Sequence, residues 1–105
     1  MTSADGLSAP VVTVRLPAQI RMVYGAPSRV QVQATTVLEA MRALDALFPG
    51  MGERVMEPGN VMRRWVNVFV GNRDVRDLQR EATELHEGDE VTLMPSAAGG
   101  DLRLW

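Results

Sequence analysis

Between Thr36 and Gly50 the hydrophobic rhythm of this chain changes, and that change constrains the fold more than any other feature. Upstream, "VVTVRLP" and "RVQVQ" alternate apolar and polar residues. Val12, Val14 and Leu16 share one face of the first stretch, and Val30 and Val32 one face of the second, which is strand periodicity. "TTVLEAMRALDALFPG" instead places Val37, Met41, Leu44 and Phe48 on one helical stripe, with Ala40 and Leu47 beside it. Thr36 followed by Glu39 fits a capping box, and Pro49-Gly50 stops the helix. Downstream the period of two returns. "WVNVFVGNRDVRDL" reads as a strand, a Gly71-Asn72 turn and a short return strand, and "ELHEGDEVTLMP" as a Glu87-Gly88-Asp89 turn into a last strand. A single helix among strands must lie across a sheet to bury its stripe.

The expected order is β-β-α-β-β-β, opening with an antiparallel hairpin. "AQIRMVYGAPS", with Gly25 and Pro27, reads as the connection inside that hairpin, and "GERVM" as one helical turn before Pro58-Gly59. The fold class this predicts is α+β: a β-grasp, or ubiquitin-like, mixed sheet packed on one main helix. Three segments are expected. Residues 1–10 form a flexible arm, residues 11–95 the β-grasp domain, and residues 96–105 a flexible C-terminal tail.

Composition narrows the chemistry. The chain has 105 residues and a net charge of -2, so no global field draws it to nucleic acid or an anionic membrane. It contains no Cys, which excludes disulfides, thiolate metal sites and a cysteine nucleophile. The one histidine, His86, builds no multi-histidine metal site. All eleven basic residues are Arg, so the only primary amine is the N-terminus. "MTSADGLSAP" has neither the basic start nor the apolar core of a signal peptide, and no apolar run approaches the roughly 20 residues of a membrane span. The expectation is a cytoplasmic protein.

The phrases "WVNVFVGNRDVR", "EGDEV" and "PSAAGG" carry a resemblance. Over roughly residues 11–100 the chain resembles the ubiquitin-like sulfur carriers of the MoaD/ThiS family, most closely the CysO-like branch. The resemblance implies a β-grasp fold and a C-terminal glycine that carries sulfur as a thiocarboxylate. Carriers of this kind end at the second glycine of their Gly-Gly. Here "DLRLW" follows Gly100, so the implied form is a proprotein whose Gly100–Asp101 bond is cut, releasing a cap of residues 101–105. The family implies three partners: a JAMM-type metalloprotease for that cut, an E1-like adenylating and sulfurating enzyme, and a sulfur-accepting synthase, PLP-dependent in some pathways. ATP is used by the activating partner, and the chain itself is expected to bind no cofactor. The acceptor pathway is expected to be that of cysteine, another sulfur amino acid or a sulfur-containing metabolite.

The residues suit that chemistry. A carboxylate donates its acyl group only after activation, and the activation happens inside another protein's active site. The carrier must present a thin thread. Gly99 and Gly100 lack a Cβ and accept any backbone angles, Ala97 and Ala98 keep the thread slim, and Pro95 ends the sheet pairing. The partner-binding surface follows from period two. If Val66, Val68 and Val70 face the helix, Asn67 and Phe69 point to the open face, and Thr92 and Met94 point out if Val91 and Leu93 point in. With the two strands adjacent, Phe69 and Met94 form one apolar patch near the tail root, and such patches bind proteins.

Other features read as ordinary. His86 falls on a solvated loop, and the acidic "ELHEGDE" is a polar turn rather than a metal site. Arg63-Arg64 is a solvated pair or a partner contact, and Trp65 packs at the sheet border. Met41, Met51, Met56 and Met62 fill the core or its edge. Leu102, Leu104 and Trp105 either guide the protease or fold back on the Phe69/Met94 patch. Two other readings stay open: a protein modifier conjugated through Gly100, and an interaction module whose tail has no chemistry. No nucleophile–base pair, metal cluster or phosphate loop is visible, so an enzyme is the weakest reading.

Overall fold

The computed structural model describes residues 9–95. The N-terminal arm up to residue 8 and the whole tail from 96 to 105, with Ala97, Ala98, Gly99, Gly100 and Asp101, lie outside the described residues.

The opening hairpin pairs β1 (Val11–Arg15) with β2 (Arg29–Gln33) in antiparallel register, Thr13 opposite Gln31. Val12, Val14, Val30 and Val32 are buried, as their alternation predicts. The pairing extends back to Pro10, whose carbonyl accepts the Ala34 N–H at 3.0 Å. The connection is not loop throughout: it contains helix α1 (Ala18–Tyr24). Pro17 precedes its first residue and Gly25 ends it at φ 63°, where the Gly25 N–H reaches the Arg21 carbonyl. Proline before a helix and a left-handed glycine after it are stop signals at both ends. Seven residues bury one anchor, Ile20, and Gly25 and Pro27 in the sequence conceal the helix they bound.

Helix α2 (Val37–Leu47) crosses the sheet and buries Val37, Ala40, Met41 and Leu44. Its N-cap matches the expected box with one variation. Thr36 Oγ1 accepts the Glu39 N–H at 3.2 Å, but the Glu39 carboxylate accepts from Thr35, whose N–H lies at 2.9 Å and hydroxyl at 2.6 Å. Those two Thr35 bonds hold the Glu39 carboxyl below its usual range. Leu47 differs from the expected stripe: it is 55% exposed, while Phe48 packs against the core. Leu47 lies about 70° around the helix from the stripe's centre, in the last turn.

The "GERVM" turn is helix α3 (Met51–Val55), packed closely on α2. Asp45 Oδ1 accepts the Gly50 and Gly52 N–H groups at 3.1 and 2.9 Å, and a Cβ at Gly52 would lie 2.9 Å from Asp45 Cβ. A small hairpin follows that the sequence reading treats as a break: β3 (Met56–Glu57) and β4 (Val61–Met62), turning through Gly59 and Asn60 at positive φ.

The main sheet is completed by β5 (Val66–Val70), β6 (Arg73–Asp74) and β7 (Glu90–Pro95). The strand order is β2-β1-β7-β5-β6, with β1 and β7 parallel and the other neighbours antiparallel. This is the β-grasp arrangement: a mixed five-stranded sheet with one main helix across its inner face. Two 3-10 turns, Val75–Asp77 and Arg80–Ala82, connect β6 toward β7. Met41 and Met51 are fully buried, and Met56, Met62 and Trp65 pack at the core's edge, Trp65 Nε1 donating to the Arg54 carbonyl at 3.2 Å. Among the described residues no helix is long and apolar enough to cross a membrane.

Candidate functional site

The expected surface forms on the outer face of β5 and β7. These strands are adjacent and antiparallel, with Asn67 opposite Met94 and Phe69 opposite Thr92. Their alternate residues, Val66, Val68, Val91 and Leu93, are buried in the same core as the apolar stripe of α2. The period-two reading therefore holds on both strands. Met94 is 47% exposed, and Asn67, Phe69 and Thr92 are half-buried. Phe69 and Met94 are not directly opposed. They are diagonal neighbours, a separation of about 7–8 Å that an aromatic ring and a thioether span. Together they make one apolar patch with a polar border of Asn67 and Thr92.

The register explains why Pro95 is tolerated at the end of β7. The Gly71 N–H donates to the Glu90 carbonyl at 2.9 Å. Bonds in an antiparallel ladder alternate, so Asn67–Met94 and Phe69–Thr92 are the hydrogen-bonded pairs and Val66–Pro95 is not. Pairing with β1 already stops at Arg15–Thr92. The missing N–H of Pro95 thus leaves neither neighbour short of a donor. The middle strand, β7, ends at Pro95, next to Met94.

The other half of the face was not singled out in the sequence. Arg15 and Arg29 both approach Glu90, at 3.9 and 4.0 Å. Three strands contribute to this charged cluster, and only its outward alternation was visible beforehand. At the opposite corner Asp74 sits across from Phe69. Its carboxylate takes a 2.7 Å ion pair from Arg76 and the Arg76 N–H at 2.8 Å, which hold it below the usual range.

The polar turn before β7 uses its acids on its own chain. Glu87 accepts the Val11 N–H at 2.8 Å, and Asp89 accepts the His86 N–H at 2.8 Å. His86 is largely exposed, with Glu84 and Asp89 each 3.7 Å from a ring nitrogen. Among the described residues no three His, Cys, Asp or Glu side chains gather as a metal-binding group.

A mixed sheet of this strand order with one main helix across it defines the ubiquitin-like, β-grasp class of fold. Within that class the chain belongs to the ThiS family, whose model matches residues 14–100. It is 35% identical over 91 residues to the sulfur carrier protein CysO of Mycobacterium tuberculosis, covering 85% of this chain and 98% of that protein. It is 39% identical over 90 residues to small archaeal modifier protein 3 of Haloferax volcanii, covering 83% of this chain and 96% of that one. The crystal structure of the Amycolatopsis orientalis BexX/CysO complex contains a chain that superposes with a TM-score of 0.76 at 31% identity, covering 85% of this chain and 99% of that chain.

Proposed function

We propose that this chain is a sulfur carrier, a protein cosubstrate and not an enzyme. Residues 101–105 are removed by hydrolysis of the Gly100–Asp101 bond, the work of a JAMM-type metalloprotease. The freed Gly100 carboxylate attacks the α-phosphate of ATP inside an E1-like partner, and pyrophosphate leaves. A sulfur donor displaces AMP from the acyl adenylate and leaves a thiocarboxylate. A synthase, PLP-dependent in a cysteine-forming pathway, accepts that sulfur. Until the cap is cut, Gly100 is an internal amide with no carboxylate to activate, so the cap is an off state.

The observation that carries this reading is the placement of the tail root. The middle strand ends at Pro95, five residues before Gly100, with the Phe69/Met94 patch beside it. A partner that docks on the patch has the chain delivered to its active site from a fixed point. The family match ends at Gly100, leaving the five-residue cap beyond it. The relatives named sulfur carriers, and the CysO solved with BexX, support a carrier that docks on other proteins.

The likeness to an archaeal modifier favours one second reading: conjugation of Gly100 to amines of target proteins. With no Lys, the chain offers no side-chain amine for polymers of itself. Intact mass of the protein purified from its native host separates the readings. A Gly100-terminated species, part of it heavier by one oxygen-to-sulfur replacement, is the expected result. A Gly100-terminated species with no sulfur but with adducts would favour the modifier. Full-length chain alone, under conditions in which the partners are expressed, would sink both.

A further inference from the structure

A second surface lies around the corner from the docking patch, on the outer edge of β5. A groove of about 350 Å³ runs there between β4 and the two 3-10 turns. Strand β7 pairs with β5 along its whole length, but β6 covers only Phe69 and Val70. Among the described residues the outer edge at Val66–Val68 has no strand partner and forms the floor of the groove; the Val66 N–H is held by the Arg63 carbonyl at 3.1 Å, so the edge open to a new strand is at Val68. Four arginines line the walls, Arg63, Arg64, Arg76 and Arg80, against two carboxylates, Asp74 and Glu81. This basic lining belongs to a chain whose net charge is negative.

The local pairings decide which charges remain available. Asp74 is held by Arg76 at 2.7 Å. Glu81 accepts the Met62 N–H at 2.7 Å, which ties β4 to the second 3-10 turn. Arg63 Nε donates to the Glu53 carbonyl at 2.8 Å. Both acids and two of the arginines are thus engaged by the chain itself. Arg64 and Arg80 make no ion pair within 4.0 Å among the described residues. Arg80 also has a backbone φ of 53°, in the left-handed region that disfavours any residue with a Cβ. The segment is fixed around it: Gln79 N–H donates to the buried Thr83 hydroxyl at 3.1 Å, and Thr83 N–H to the Arg80 carbonyl at 3.1 Å. Strain kept at an exposed arginine motivates a functional hypothesis for it.

We propose that this groove takes an acidic, extended segment of a partner protein, laid along the edge of β5 with its carboxylates on Arg64 and Arg80. An exposed strand edge supplies main-chain register and guanidinium groups supply charge selection. An extended chain can space its carboxylates along the strand edge, as a compact phosphate cannot. The groove opens on the edge of β5 and shares only Asn67 with the border of the Phe69/Met94 patch, and the proposal does not depend on the carrier reading.

The test uses the full chain and a capped hexapeptide alternating valine and glutamate. Amide NMR shifts are followed at low and moderate salt. Saturable shifts at Arg64, Val66, Asn67, Val68 and Arg80, weakening as salt rises, are expected. The folded double variant R64E/R80E loses about tenfold or more in affinity. Arg80→Gly removes the guanidinium and relieves the backbone, so it binds more weakly while melting at the same or a higher temperature. The charge-matched variant R21E/R42E, altered away from the groove, keeps the affinity. Any of four results overturns the proposal: equal binding of a valine–lysine hexapeptide, the same shifts with inorganic phosphate alone, undiminished affinity in R64E/R80E or R80G, or loss of binding in R21E/R42E.

Discussion

The outer face of the sheet has two halves with different characters. On β1 and β2 it is a charged lattice, Arg15 and Arg29 around Glu90. On β5 and β7 it is Phe69 and Met94 with a thin polar border. Both halves obey the same period of two, and both stand on a buried layer of valines and leucines. Alternation therefore decides which side chains face out, and their chemistry decides what the surface is for. Ion pairs this long between exposed groups contribute little to stability, so the charged half adds little to the fold. The other half instead leaves Met94 exposed beside a half-buried Phe69, the kind of apolar surface that a partner protein covers under the proposed function.

The sharpest way to break this contrast begins beneath both halves. Leu44→Ala empties a fully buried site under the sheet and is expected to cost about 2–5 kcal/mol of folding stability, read by denaturant unfolding. It should weaken both halves through the fold and leave intrinsic docking by the folded fraction intact. Phe69→Glu should do the opposite. We expect stability within about 1 kcal/mol and a loss of about 2–4 kcal/mol in affinity for the activating partner, measured by titration calorimetry. Unchanged affinity would move the docking site elsewhere. The double change Arg15→Ala with Arg29→Ala should alter stability by less than about 1 kcal/mol and docking by less than about threefold. A large docking loss there would erase the distinction between the halves.

The smallest effect is one of pH. Arg76 holds the Asp74 carboxyl below its ordinary range, so this contribution is complete above the pH at which an unfolded Asp titrates, about 4. It drains away as pH falls through the lower folded value. Asp74→Asn should flatten the acid limb of the stability profile in that window: its small cost is present in full at neutral pH and disappears once the wild-type carboxyl is protonated.

How much of this was visible in the sequence follows from where the stabilising contacts lie. The alternation of Val66–Val70 and Val91–Leu93 and the stripe from Val37 to Leu44 repeat every few residues, so each declares its own buried face. Helix α1 does not, because it is held by one buried residue, Ile20, and by its end signals rather than by any repeat. The β3–β4 hairpin is two residues per strand and depends on the turn at Gly59-Asn60. Leu47 shows the converse failure: helical phase placed it beside the core, but the last turn of α2 leaves it exposed. The Arg15–Glu90–Arg29 cluster joins residues far apart in the chain, and only the parallel pairing of β1 with β7 brings them together. The Phe69/Met94 patch was legible because its two strands carry their own phase and needed only to be neighbours. Gly99, Gly100 and the Gly100–Asp101 bond rest on sequence and family alone.

The position of β7 has a mechanical consequence. A partner that draws the chain beyond Pro95 into a narrow channel pulls lengthwise on the strand at the middle of the sheet. The ladder to β1 and the ladder to β5 both run along that strand. Their bonds are loaded together, in shear, and none can be peeled off before the others. A lengthwise pull on β7 is therefore shared by both ladders at once.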